Sequence, residues 1–199
     1  MNLETFNSDD CPFRCPWCGP NRTKPVYSQR ENEMVFRSLY ALKDDERTKY
    51  VEMLSELGNI AMLEGTSIVY RTNGIDVRSL QEAVRSDIVS TIEVCLVGTL
   101  DMCPSPENIE LSVARASRHC HSRAHIILMP SLYNDAVIRQ MCKETLHRFD
   151  EILVSNPPWV SYDCYCDSRL VGTQYSTGRI SSFIGIIKEK TGVEVAFGG

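Results

Sequence analysis

The stretch Ile92-Glu93-Val94-Cys95-Leu96-Val97-Gly98 decides the fold prediction, because it is a short apolar run closed by a glycine, as in a buried strand. Pro106 then suits the first turn of a helix that runs to about Cys120, and a second apolar strand follows at residues 125–129. Short apolar strands that alternate with amphipathic helices are typical of a mostly parallel sheet. The sequence therefore predicts an α/β fold: a three-layer sandwich with a Rossmann-like sheet covered on both faces.

The same alternation extends in both directions from this stretch. Further strands are predicted at residues 67–70, 152–154 and 193–197, and further helices at residues 76–89, 134–149 and 179–190. Between residues 31 and 64 the apolar spacing is helical, with Met34, Leu39 and Leu42 in a first helix and a second helix after Asp44. We therefore expect a Cys-rich arm at 1–30, a helical segment at 31–64 and an α/β sheet domain at 65–199, together one compact unit.

Composition and charge limit the function classes. The chain has 199 residues, is 43% hydrophobic and carries a formal net charge of −5, which argues against a nucleic-acid-binding surface. No apolar stretch is long enough to span a membrane, and the first residues lack the pattern of a signal peptide. Nine cysteines, an odd number, are then better explained as reduced thiols than as disulfides. We expect an intracellular, cytoplasmic protein.

Three thiols lie close together in Cys11-Pro12-Phe13-Arg14-Cys15-Pro16-Trp17-Cys18-Gly19. Thiolates at this spacing bind a soft or borderline metal ion, and the Cys-Pro-Trp-Cys-Gly part is typical of a structural zinc knuckle. A tetrahedral zinc site needs a fourth ligand, which we expect from Cys164 or Cys166, since alternate residues of a strand point the same way. His119 and His121 are the alternative source of this ligand.

The wider spacing of the same cysteines resembles the cluster motif of the radical SAM enzymes, in which three thiolates leave one iron open. This resemblance implies an iron–sulfur cluster and S-adenosylmethionine (SAM) as cofactors. The residue pattern, however, places the first strand of the sheet near Ser67, which leaves few βα units for a barrel. Zinc is therefore our first expectation and the iron–sulfur cluster the alternative.

A second resemblance concerns Leu153-Val154-Ser155-Asn156-Pro157-Pro158-Trp159, an apolar strand followed by Asn-Pro-Pro-aromatic. It resembles the catalytic motif of SAM-dependent amino-methyltransferases. The resemblance implies that Asn156 holds the amino group to be methylated and that Trp159 stacks on the target. The alternative is structural, with the two prolines ending a strand.

Ligands of open α/β sheets bind beyond the carboxyl ends of the strands. Two segments there carry candidate ligand-binding residues: Gly98, Thr99 and Asp101, and, before the last helix, Ser176, Thr177 and Arg179. The second segment suits an anion at a helix N-terminus, but we favour simple capping of the helix by Ser176 and Thr177. Cys95, inside an apolar strand, is predicted to be a small core residue.

No whole-chain family is assigned from these patterns. The leading hypothesis is a zinc-binding α/β protein that acts through a protein partner or an assembly, with Trp17 and Phe13 as contact residues. The principal alternative is a SAM-dependent methyltransferase, and the lesser alternative is an iron–sulfur protein similar to the radical SAM enzymes.

Overall fold

The structure, a computed structural model, describes residues 5–7, 23–25, 27–39, 42–72, 81, 88–96, 120–128, 133–156 and 175–198. Near the N-terminus, strands β1 (Thr5–Asn7) and β2 (Thr23–Pro25) pair antiparallel. The metal-binding knuckle expected between them lies outside the described residues.

A mixed sheet of seven strands forms the body of the described chain. Its strands lie side by side in chain order, with β3 antiparallel to β4 and every other pair parallel. The mostly parallel α/β class predicted from the sequence is therefore confirmed. The strands are β3 (Tyr27–Arg30), β4 (Glu33–Arg37), β5 (Ser67–Thr72), β6 (Thr91–Leu96), β7 (His121–Ile127), β8 (Glu151–Ser155) and β9 (Glu194–Gly198).

The described helices long enough to pack on this sheet are α1 (Asp44–Leu63), α2 (Asp135–Glu144) and α3 (Thr177–Thr191), and a 3₁₀ turn follows α2 at Leu146–Arg148. Their ends follow the capping chemistry of the sequence. Asn134 accepts a hydrogen bond from the Val137 amide at the start of α2, and Gly192 ends α3 in the left-handed conformation with φ of 68°. Within the described part of the chain, no helix is long and apolar enough to cross a membrane.

Strand β4 replaces the first helix predicted from Met34, Leu39 and Leu42, so that prediction is wrong. Phe36 and Val35 lie on opposite faces of the sheet, and both are buried. Burial on both faces removes the alternation that normally marks a strand. The second helix predicted in this segment is confirmed as α1.

Strand register divides the sheet into two faces. On the apolar face, Phe36, Tyr70 and Ile92 are register partners on β4, β5 and β6, and all are fully buried. Side chains from α1, α2 and α3 join the same core, including Tyr50, Ile138 and Phe183. Parallel strands in chain order, joined by crossovers of one hand, place their helices on one face, and the described helices all pack there.

Candidate functional site

The opposite face, here called the polar face, carries a row of charged residues across the middle of the sheet. Arg71, Glu93, Arg123 and Glu151 are successive register partners on β5, β6, β7 and β8. Opposite charges on neighbouring strands stabilise each other across the ladder. Glu93 has 0% exposure although it is charged, so its partners must compensate for the loss of water.

Ion pairs satisfy both oxygens of the Glu93 carboxylate. Arg71 Nε donates to Oε1 at 2.6 Å, and Arg30 Nη2 donates to Oε2 at 2.8 Å. Arg123 continues the network, because its Nη2 donates to Glu33 Oε1 and its Nε to Glu151 Oε2, each at 2.8 Å. The network pairs arginines with equally many glutamates, so it adds no net charge to the polar face.

The network sets the charge of its buried acid. Burial by itself raises the pKa of Glu93, but the hydrogen bond from His125 and the charges of Arg71 and Arg30 outweigh it and hold the pKa well below its usual range. Glu93 is therefore ionised at neutral pH. Burial of a carboxylate costs free energy that its ion pairs must offset. The polar face is therefore more than a solvated surface.

Cys95 and His125 lie next to Glu93, nearer the carboxyl ends of β6 and β7. His125 Nδ1 lies 3.7 Å from Cys95 Sγ and 3.1 Å from Glu93 Oε1. The other ring nitrogen, Nε2, lies 2.8 Å from the Ser155 hydroxyl, at the end of β8. Three side chains from neighbouring strands thus converge on one histidine, and that histidine is held from both sides.

The thiol and the imidazole change each other's protonation. Burial opposes both charged forms, yet the hydrogen bond with His125 lowers the pKa of Cys95, and contacts with Cys95 and Glu93 raise the pKa of His125. Cys95 is partly exposed and points to the polar face, so the prediction that it is simply a core residue is wrong. The reason is strand geometry: Ile92 and Val94 point to the helices, whereas Glu93 and Cys95 point away.

Glu93, Cys95 and His125 form a group that can hold a metal ion. Their carboxylate oxygen, sulfur and ring nitrogen all lie within 4.8 Å of one another. Carboxylate, thiolate and imidazole are ligands of transition metals, and here each comes from a rigid central strand rather than a loop. The sequence-predicted metal ligands Cys11, Cys15, Cys18, Cys164 and Cys166 all lie outside the described residues.

The other predicted site residues divide into described and undescribed ones. Asn156 directly follows β8, and its Oδ1 is buried without a hydrogen-bond partner in the described part of the chain. Ser176 caps α3 by accepting a hydrogen bond from the Arg179 amide, and Thr177 is the first residue of that helix. The Arg179 side chain pairs with Asp135 at 3.0 Å, and its guanidinium lies 4.4 Å from the centre of the Phe183 ring. Gly98, Thr99, Asp101 and Trp159 lie outside the described residues.

Sequence reasoning missed Glu93 and His125 as site residues. The available signal was a carboxylate and a thiol two positions apart in an otherwise apolar strand, since that spacing puts both on one face. His121, considered as a zinc ligand at the end of a helix, instead begins β7 beside Glu151, at 3.4 Å.

Comparison with known proteins finds no family model that matches the chain and no curated protein with significant sequence similarity.

Proposed function

We propose that this chain is an iron–sulfur enzyme of the radical SAM type, with its substrate bound on the polar face of the sheet. The observation that carries the proposal is the strand order. From β4 to β9 the strands are parallel neighbours in chain order, with the described helices on one face. This is the arrangement of part of a βα barrel, whereas a doubly wound sheet reverses its order at a switch point.

The strands before Ser67 remove the objection that the chain has too few βα units for a radical SAM enzyme. The sequence pattern placed no strand in that region, but β3 and β4 lie there, and β4 with α1 and β5 makes an additional βα unit. Strand β1 ends at Asn7, four residues before Cys11. The three-cysteine motif thus lies in sequence between β1 and β2, which form a separate two-stranded sheet, and precedes the βα units.

The donor set suits a cluster. Cys11, Cys15 and Cys18 would bind three of the four irons of a [4Fe–4S] cluster and would leave one iron for a small-molecule ligand. When bound, such a cluster supplies the electron that cleaves SAM and starts radical chemistry. The remaining roles, which are binding, orientation and exclusion of water, belong to the protein.

The polar face provides groups for those roles. Ser155 ends β8 and lies 2.8 Å from His125 Nε2 on β7, so hydroxyl and imidazole groups meet near the carboxyl ends of the strands. A polar substrate can exchange hydrogen bonds with these groups. The ion-pair network beneath them fixes the strands that carry them.

The test is anaerobic purification without chelator, followed by iron, sulfide and zinc analysis and a visible spectrum. We expect a brown protein with iron and sulfide, which with dithionite converts SAM to 5′-deoxyadenosine. Cys15→Ala should lose the iron and the SAM cleavage, whereas Cys120→Ala, a cysteine outside the motif, should keep both. A colourless protein that does not take up iron on reconstitution would refute the proposal.

A structural zinc protein that binds a partner is the second candidate, favoured by the Cys-Pro-Trp-Cys-Gly knuckle. It predicts zinc in place of iron at the N-terminal cysteines, with Cys164 or Cys166 completing the site. Trp17→Ala should then weaken binding to the partner and leave the zinc content unchanged. The same metal analysis therefore separates the two candidates.

A SAM-dependent amino-methyltransferase also remains a candidate, because Asn156 Oδ1 is buried without a partner among the described residues, as expected of an amide that awaits an amino group. This function predicts SAM binding that Asn156→Ala abolishes without unfolding the protein. Calorimetry on the iron-free protein tests it, since binding through a cluster is then impossible. Absence of binding would exclude it.

A further inference from the structure

We infer that Glu93, Cys95 and His125 form a zinc site with an open fourth position on the polar face. This site is distinct from the N-terminal cysteine motif and does not depend on the function proposed above. The three residues lie on the adjacent strands β6 and β7, and none belongs to the Cys-rich arm. The site gives the polar face a Lewis acid of its own.

Two separations of the ligand atoms are close to those of tetrahedral zinc. With Zn–S of about 2.3 Å and Zn–N and Zn–O of about 2.0–2.2 Å, a tetrahedral site places sulfur about 3.5 Å and oxygen about 3.4 Å from the nitrogen. The observed distances from His125 Nδ1 are 3.7 Å to Cys95 Sγ and 3.1 Å to Glu93 Oε1. Movements of a few tenths of an ångström would bring these two distances to the tetrahedral values, and Cys95 Sγ and Glu93 Oε1 lie within 4.8 Å of each other.

Proton counting is also compatible with an ion. His125 Nδ1 faces both Cys95 Sγ and Glu93 Oε1, but it can carry only one proton between these two electron-rich atoms. A divalent cation satisfies all three at once. Zinc on Nδ1 leaves the ring proton on Nε2. The Ser155 hydroxyl oxygen lies 2.8 Å from Nε2 and can accept a hydrogen bond from it. A hydrogen bond of this kind commonly orients a metal-bound histidine.

The surrounding charges allow the ion. Arg30, Arg71 and Arg123 approach the site, but Glu33, Glu93 and Glu151 balance them. A carboxylate oxygen has two lone pairs, so Glu93 Oε1 can bind zinc while it accepts from Arg71 Nε. The Cys95 thiolate then adds the negative charge that zinc attracts.

The open position follows from the ligand count. Within the described residues, the candidate group contains these three ligands and no fourth. Zinc with three protein ligands keeps its fourth position for water or a substrate atom, which is the arrangement of catalytic rather than structural sites. On the polar face, this position suits an oxygen or sulfur atom of the substrate, which the metal would polarise.

Cobalt substitution in the full-length protein tests the site. The background is the variant in which Cys11, Cys15 and Cys18 are all alanine, so that the N-terminal motif cannot bind the probe. Addition of Co²⁺ should give a thiolate-to-cobalt charge-transfer band and the intense visible bands of a four-coordinate ion, at one cobalt per chain. Zinc should displace the cobalt and abolish the bands.

Two further variants in this background test Cys95 as a ligand. Cys95→Ser should abolish the charge-transfer band and weaken binding at least tenfold, whereas Cys120→Ser, a matched control, should change neither. Azide should shift the visible bands by entering the open position. Absence of a charge-transfer band before mutation, or a band that survives Cys95→Ser, would overturn the site, and bands that azide leaves unchanged would overturn the open position. Iron in the protein with its cysteine motif intact is measured separately, so this site and the iron–sulfur proposal can fail independently.

Discussion

The two faces of the sheet are built from the same strands but solve different physical problems. On the apolar face, residues such as Phe36, Tyr70 and Ile92 are buried against helices, and removal of apolar area from water stabilises the fold. On the polar face, burial of Glu93 opposes stability until ion pairs compensate for it. One face therefore holds the fold together, while the other keeps chemically active groups fixed at a cost in stability. Substitutions on the two faces should separate these roles.

The largest effect should come from the apolar face. Phe183 of α3 has 0% exposure and packs edge-to-face on Tyr175, with ring centres 5.1 Å apart. Phe183→Ala should lower the free energy of unfolding by about 3–5 kcal/mol, measured by urea denaturation, because it removes buried area and leaves a cavity. Phe197→Ala is the control, since Phe197 is 47% exposed and should cost much less. Equal losses for the two variants would contradict the division between core and edge.

On the polar face, Arg71→Met should lower the free energy of unfolding by less than Phe183→Ala does. It removes the donor to Glu93 Oε1 but leaves Arg30 and Arg123 near the carboxylate. Breaking a buried ion pair commonly costs about 3–5 kcal/mol, and with these remaining partners we expect about 2 kcal/mol. Cobalt binding at the inferred zinc site should weaken as well, because Glu93 loses a partner that orients it. A stability unchanged by Arg71→Met would mean that the network contributes nothing to the fold.

Glu33 should have a smaller effect, on the way the free energy of unfolding depends on pH. Burial raises its pKa, but hydrogen bonds from Arg123 and Arg30 outweigh this and lower the pKa below the usual value. A carboxyl whose pKa is depressed by folding stabilises the protein above its unfolded pKa, and this contribution is lost as pH falls through the folded pKa. Wild type should therefore exceed Glu33→Gln in unfolding free energy at pH 7, and the difference should shrink below about pH 4.3.

The matched control for this pH dependence is Glu52→Gln, because Glu52 is exposed on α1. Urea denaturation at a series of pH values compares the three proteins. A difference between wild type and Glu33→Gln that stays constant at low pH would show that the ion pairs do not set the charge of Glu33.

The sequence predicted the local elements better than their arrangement. Helices α2 and α3, with their caps Asn134 and Ser176, were predictable because capping depends on neighbouring residues. Strand order was not, because apolar strands alternating with helices fit both a doubly wound sheet and strands in chain order. The site was missed for a related reason. Glu93 and His125 gain their roles only when β6 and β7 pair in register, which no local pattern encodes.

The smallest effects on the free energy of unfolding should come from substitution of two helical glycines, one in a packed position and one in an open position. A methyl group at Gly58 of α1 would collide with the Ile88 side chain, whereas one at Gly185 of α3 would meet nothing within 4 Å. Alanine favours a helix over glycine by about 1 kcal/mol, but overpacking costs about 1–3 kcal/mol. Gly58→Ala should therefore lower the free energy of unfolding by about 1 kcal/mol net, and Gly185→Ala should raise it by about 0.5–1 kcal/mol. Thermal denaturation of both variants checks the signs. Stabilisation by Gly58→Ala would mean that α1 is less closely packed on the sheet than its contacts indicate.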